Sequence, residues 1–438
     1  MADDDHVPSG RLKRLSRLAY LAARTTGDLI ASSARRKLTG EDLPHEDLRK
    51  AGERILATLG ELKGAALKLG QALAMDPDAL PEEARSVVAK LLSQAPQRME
   101  PEQVVEVIRS ELGKAPDELF ASFSPEPMAA ASLGQAHAAT LADGREVVVK
   151  VQYPGVDKAL ENDLKNANAL VQGFALTGTK TLDGRPYYEE LRKSLMRELD
   201  YEEEAAQLER YREAAVRYPE LVIPEAIGDR SRRKVLTLTR LRGPQLLEFI
   251  DARHSEDERF RVARLLLFAI WGPFYFARLV HADPHPGNFL VMADGRLGVL
   301  DFGATKLLSE QFAAVYRMFL EENAAGRAHP DVGPMLKKAG FRFLMDDEEE
   351  GFEFCQKMAD IVQRPILQET FDFGSDALIT DVRRVFRGEP GLAIRIKPPA
   401  EALLFYRSAV GLAQDLRLLK ARGPFRAVLA EVKERGKT

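Results

Sequence analysis

The run His281-Ala282-Asp283-Pro284-His285-Pro286-Gly287-Asn288, followed shortly by Leu300-Asp301-Phe302-Gly303, constrains this chain more than any other feature. Phosphoryl transfer from ATP needs a carboxylate near the acceptor oxygen, and an amide oxygen and a second carboxylate to hold magnesium against the phosphates. Asp283, Asn288 and Asp301 offer these groups in that order and at close spacing. An Asp five residues before an Asn means little alone, so the weight rests on the conjunction. A metal-hydrolase reading of His281, Asp283 and His285 competes with it, but the seven histidines of the chain form no obvious second cluster to complete such a site.

Upstream, Gln135 to Gln152 reads as two β-rich runs around the turn Ala142-Asp143-Gly144, the second containing Val147-Val148-Val149-Lys150. A lysine on such a strand can bind phosphates as a point charge. Before it lies Ala129-Ala130-Ala131-Ser132-Leu133-Gly134-Gln135, where a nucleotide fold would place a glycine-rich loop and this chain keeps only Gly134. Helical periods cover Glu46–Met75, Glu82–Gln94, Pro101–Leu112, Lys158–Gly173 and Tyr187–Ala215, and short strands are predicted at Leu221–Ile227 and Lys234–Leu241. After Gly243 the chain reads as helical, interrupted by Asn288–Met292, the turn Ala293-Asp294-Gly295 and Leu297–Leu300. A β-rich block followed by a mostly helical one is a two-lobed α+β arrangement.

Lys plus Arg (63) nearly balances Asp plus Glu (67), which argues against a generally basic nucleic-acid binder. One cysteine, Cys355, excludes a disulfide within the chain and fits a reducing, cytoplasmic-type compartment. The most apolar run, Leu265–Ala277, contains Gly272 and Pro273 and is short for a membrane span, so no transmembrane segment is expected. The acidic Asp3-Asp4-Asp5 start is unlike a secretory or matrix-targeting leader. Residues 11–37 carry eight basic residues and one acid, with Leu12, Leu15, Leu18 and Ala22 at helical spacing. Such a helix either lies peripherally on an anionic membrane surface or docks its apolar face on the domain.

Together these motifs resemble the UbiB family of atypical protein-kinase-like proteins, associated with ubiquinone and other isoprenoid-lipid pathways. The resemblance rests on Lys68-Leu69-Gly70-Gln71 (K-x-G-Q), the Ala-rich loop Ala129–Gln135, Lys150, Glu198-Leu199-Asp200 (E-x-D), the H-x-D-x-H-P-G-N run and Asp-Phe-Gly, all in order. It extends weakly to Pro398-Pro399 and the helix around Arg407–Leu412, covering roughly residues 45 to 420. It implies a two-lobed protein-kinase-like fold with a small β-rich N-lobe, a large helical C-lobe and a helical N-terminal extension. The expected divisions are a basic segment (1–44), the K-x-G-Q extension (45–123), the N-lobe (124–242) and the C-lobe (243–438).

The resemblance also implies roles. Mg2+ and ATP (or ADP) are the expected cofactors, with Asn288 and Asp301 on the metal and Asp283 orienting the attacking oxygen. Nucleotide contacts are expected from Ala129, Ala130, Ala131, Ser132, Gly134, Gln135 and Lys150, with Thr239 and Leu241 in the link between lobes, which lacks the acidic residue that many relatives carry. Glu198 is the expected partner of Lys150, with Glu202, Glu203 and Glu204 on the same predicted helix. Lys68 and Gln71 share a helix face expected to cover the pocket near Glu198, and Asp200 is expected in the site's polar network. After Gly303 a helical pattern begins near Ser309, leaving little room for a long peptide-docking loop.

The implied activity is slow ATP hydrolysis or phosphoryl transfer, with a lipid or isoprenoid-quinone precursor as partner and the acceptor and oligomeric state left open. Two alternatives stand beside it. A small-molecule kinase of the aminoglycoside or choline kinase type shares the Asp-to-Asn loop but would not be expected to carry K-x-G-Q, and a nucleotide-gated scaffold would bind ATP without useful chemistry.

Overall fold

The computed structural model describes residues 98–131, 133–158, 160–161, 192–193 and 196–435. Lys68 and Gln71, the basic segment 11–37, Ser132 and most of the predicted helix Lys158–Gly173 lie outside them. The chain divides into two compact units, and one of them, Glu100–Ala129 with Gln135–Gln152 and Glu189–Thr438, contains every element that builds the site. Ala130–Gly134 belong to the other unit.

Helix α1 (Pro101–Leu112) occupies the predicted span. Strands β1 (Ser122–Ala131), β2 (Gly134–Thr140), β3 (Glu146–Gln152) and, later, β5 (Val235–Thr239) form one sheet in the order β1-β2-β3-β5. The turn before β3 is the expected one: Gly144 adopts φ +87°, a left-handed conformation that costs glycine least. In β3, Val147, Val149 and Val151 are fully buried while Val148 and Lys150 alternate to the opposite face. β3 pairs antiparallel with β5, setting Lys150 opposite Leu236, and it continues two residues beyond the lysine.

The predicted helix Tyr187–Ala215 does not run unbroken. Glu198 and Leu199 form a turn, and α2 starts at Tyr201 and extends to Ala215, with Asp200 as its N-cap. Asp200 Oδ1 accepts from the Glu202 and Glu203 amides at 3.0 and 3.2 Å, satisfying donors that a helix start leaves unpaired.

Beyond β4 (Leu221–Val222) and β5, α3 (Leu246–Asp251) and the long α4 (Glu256–Ala277) open the helical region. At 22 residues α4 outruns the apolar stretch read from sequence, and it is the one helix among the described residues long and apolar enough to cross a membrane. Its Val262, Ala263 and Leu265–Ile270 are buried in the main core with Tyr211, Tyr218 and Phe302, as in a core helix. Four short strands follow, β6 (Leu279–His281), β7 (Phe289–Val291), β8 (Leu297–Val299) and β9 (Thr305–Leu307). β8 lies between β4 and β7, and β6 pairs with β9, placing His281 opposite Thr305. The C-terminal half then packs α5 (Glu310–Ala324), α6 (Glu348–Val362), α7 (Ala400–Leu418) and α8 (Phe425–Arg435) around two aromatic-rich cores.

Candidate functional site

β3, α2 and the chain around β6 to β9 bring three acidic side chains and one lysine together. Lys150 Nζ donates to Glu204 Oε1 at 2.6 Å, with both side chains largely buried. Burial opposes the charged form of Lys150, yet the carboxylates of Glu204 and Asp301 outweigh it and hold the ammonium above the ordinary lysine value. Lys150 therefore stays a cation between two anions. Its ion-pair partner is Glu204, not the expected Glu198. The reason is the break before α2: Glu198 precedes the helix, whereas Glu204, one turn in, is buried. Glu198 is nevertheless close, since a Cβ built on Gly303 would lie 3.7 Å from its Cγ, 3.5 Å from Asp301 Oδ1 and 4.0 Å from Glu204 Oε2. Asp200, expected in the polar network, serves as the helix cap.

The catalytic-loop residues are held from three sides. His281 Nε2 bonds the carbonyl of Asp301, so this nitrogen carries the proton, and the His281 carbonyl accepts from Ser408 Oγ of α7 at 2.8 Å. Its ring sits edge-on to Phe302 and Tyr211, with centroids 5.9 and 5.8 Å away. The histidine thus locks the loop to the Asp301-Phe302-Gly303 segment, and among the described residues it joins no group of three His, Cys, Asp or Glu side chains of the kind the competing hydrolase reading needs. Asn288 donates through Nδ2 to the Asp283 carbonyl at 2.9 Å, and the Leu300 amide donates to the Asn288 carbonyl at 3.0 Å. Asp301 Oδ1 accepts from the Gly303 amide at 3.0 Å.

The residue that sequence reasoning missed is Arg407. From α7 its Nη2 donates to Asp283 Oδ1 at 2.7 Å, where Asp283 is only 8% exposed. A buried carboxylate needs such compensation. The available signal was an Arg-Ser pair in the apolar middle of the helix, between Leu403 and Ala413, and both members reach the catalytic loop.

The donor set suits magnesium. Because Asn288 spends its side-chain Nδ2 on Asp283, its side-chain Oδ1 is the atom that can turn to a cation, and Asp301 adds a carboxylate. Magnesium in such sites takes one or two protein ligands and fills the rest with phosphate and water. Among the described residues no group of three His, Cys, Asp or Glu side chains forms a self-contained metal site. For the nucleotide, Thr239 is committed to Glu225, its amide donating to the carbonyl at 2.9 Å and its Oγ1 accepting from the amide at 2.8 Å. The Leu241 backbone, like that of Arg242 and Gly243 after it, makes no hydrogen bond among the described residues. Gln135 is buried with Oε1 lacking a partner there.

The family model described as the ABC1 atypical kinase-like domain matches residues 90–328. The chain belongs to that family. Its UbiB resemblance and kinase-like fold are thereby borne out, and the protein is an atypical kinase. It is 28% identical over 98% of its length to "Atypical kinase COQ8B, mitochondrial" of Danio rerio, spanning 70% of that protein. It is 27% identical over 93% of its length to "Atypical kinase COQ8, mitochondrial" of Saccharomyces cerevisiae, spanning 81% of it. Among solved structures, Rv3197 of Mycobacterium tuberculosis, determined in complex with erythromycin, matches with TM-score 0.59 and 29% identity over 88% of this chain and 96% of that one.

Two buried histidines give the ABC1 kinase unit a pH dependence. Burial pushes both His137 and His281 below the ordinary histidine value of 6.5. Their contribution to stability is complete above about pH 6.5 and is lost as pH falls towards the depressed folded values, because the unfolded chain then takes up protons that the folded one refuses. Each can contribute up to about 1.4 kcal/mol per pH unit in that window. Asp415 acts oppositely, since burial raises its carboxyl well above the usual range and acid relieves its cost. Urea unfolding at pH 7 and 5.5 separates them: the acid-induced loss should shrink in His137→Asn and grow in Asp415→Asn. Identical pH profiles for all three proteins would contradict this.

Proposed function

We propose that this atypical kinase binds Mg-ATP between Lys150 and the catalytic loop and either hydrolyses it slowly or passes its γ-phosphoryl group to a small acceptor. Isoprenoid-quinone (ubiquinone-type) or related lipid metabolism is the setting, by likeness to the COQ8 relatives. The observation that carries the reading is the Lys150–Glu204 pair beside Asp301, with Asp283 and Asn288 locked to the same segment through His281. Lys150 would orient the phosphates, Asn288 and Asp301 would hold magnesium, and Asp283 would orient the attacking oxygen. When bound, the metal would neutralise charge developing on the phosphates. Ala129–Gln135 and Leu241 complete the proposed nucleotide contacts. Lys68 and Gln71 remain the proposed cover of the site.

A small acceptor is favoured over a peptide by the short segment after Gly303: β9 pairs with β6 and Ser309 already caps α5, its Oγ accepting from the Phe312 amide at 3.3 Å. Peripheral membrane contact through residues 11–37 in a cytoplasmic-type compartment belongs to the same reading, the mitochondrial setting being that of the COQ8 relatives. Purified protein should release ADP from Mg-ATP, faster with anionic liposomes, and the products should include a phosphorylated lipid if transfer is the native step. No turnover with or without liposomes would contradict an enzymatic role and favour the nucleotide-gated scaffold.

A further inference from the structure

An open pocket of about 350 Å³ lies at the far ends of α3 and α7, lined by Phe249, Ile250, Arg253, His254, Arg259 and the Leu418–Lys420 turn, with Ala252 at its edge. It shares no residue with the catalytic site. Arg253, Arg259 and Lys420 bring three basic side chains, and no acidic residue lines it. Arg253 and Lys420 are exposed and form no ion pair among the described residues, and Lys420 is presented by an unusual left-handed backbone, φ +48°. Arg259 spends Nη1 on the His254 carbonyl at 3.1 Å, but its Nε is buried without an acceptor. His254 Nε2 is likewise buried and unpartnered, its ring stacked on Phe249 at 3.6 Å. The nearest carboxylate to that ring, Glu258, sits 3.9 Å from His254 Nδ1 and is bonded to the Ser255 amide and hydroxyl.

Two exposed cations without carboxylate partners, set beside Arg259 and His254 in a pocket lined by no acidic residue, suit an anionic ligand rich in acceptor oxygens. We propose that this pocket binds a phosphate monoester, its oxygens held by Arg253, Arg259, His254 and Lys420 and its organic part lying on Phe249, Ile250, Leu418 and Leu419. The placement gives such a ligand leverage. α3 packs on the Pro286–Asn288 turn, and α7 carries Arg407 to Asp283, so both helices that form the pocket also touch the catalytic loop.

The same chemistry could come from a free metabolite or from a lipid headgroup, and calorimetric titration of the full chain with glycerol 3-phosphate and with a soluble short-chain phosphatidic acid distinguishes them. Wild type and Lys150→Ala should both bind at least one probe, and Arg253→Ala/Lys420→Asn should bind it at least about tenfold more weakly, the loss of one charge-assisted hydrogen bond. Asn tolerates the left-handed position, so the double variant should keep the wild-type melting temperature; Arg253→Glu alone should show the same weakening. Preference for phosphatidic acid identifies a headgroup site, and equal affinity a free-ester site. The inference is overturned if wild type binds neither probe or if the double variant binds as wild type does. Binding lost in Lys150→Ala but kept in the double variant would place the phosphate at the proposed nucleotide site, overturning the pocket while leaving the proposed function standing.

Discussion

Arg407→Ala is expected to lower ATP turnover by about 10²-fold or more while leaving Mg-nucleotide binding largely intact. Asp283 is buried, and its Oδ1 accepts from Arg407 Nη2 at 2.7 Å. Without the guanidinium the carboxylate is undercompensated and free to reorient, and misplacing a positioned group by an ångström costs about that factor. Arg407 is itself part-exposed, so water recovers some of the lost compensation and the folding cost should stay small beside the kinetic one. Arg407→Lys keeps the charge but not the planar fork and should fall between the two. Equal losses of nucleotide binding and turnover in Arg407→Ala would show that the arginine supports the fold rather than the orientation of Asp283.

The second large effect concerns the partner of Lys150. A double-mutant cycle on unfolding free energy should give Lys150 and Glu204 a coupling of roughly 2 to 3 kcal/mol, because either substitution removes a charge-assisted hydrogen bond between two mostly buried groups. The cycle between Lys150 and Glu198 should give less than about 1 kcal/mol. Glu204→Gln should also reduce ATP turnover, since the lysine would no longer be fixed against the phosphates. Coupling to Glu198 rather than Glu204 would reverse the assignment.

These two results mark where sequence sufficed and where it did not. The valine run after the Ala142-Asp143-Gly144 turn was enough to read β3 with Lys150 on it, and the close spacing of Asp283, Asn288 and Asp301 was enough to read them as one set. The partner of Lys150 was not legible to that degree. It depended on whether the helix ran through residues 198–200, and an Asp that caps a helix reads in sequence much like one inside it. Arg407 lies 124 residues beyond Asp283, and no periodicity links two residues that meet only when α7 packs on the catalytic loop. β6 and β9, three residues each, are too short to show alternation, and their strand character comes from pairing with each other. In α4, the apolar run marked the buried centre, and the helical reading after Gly243 took in the charged first turn without marking the Ser255 cap at which the 22-residue helix begins.

The central claim is that Asp301 and Asn288 hold magnesium on a nucleotide that Asp283 then acts on. Thermal-shift titration with Mg-ATP tests it directly in wild type, Asp301→Asn and Asp283→Asn. The account predicts that Mg-ATP stabilises wild type and Asp283→Asn alike, that Asp301→Asn loses the magnesium-dependent part of the shift, and that both variants lose turnover. Equal stabilisation of the two variants by Mg-ATP would contradict it.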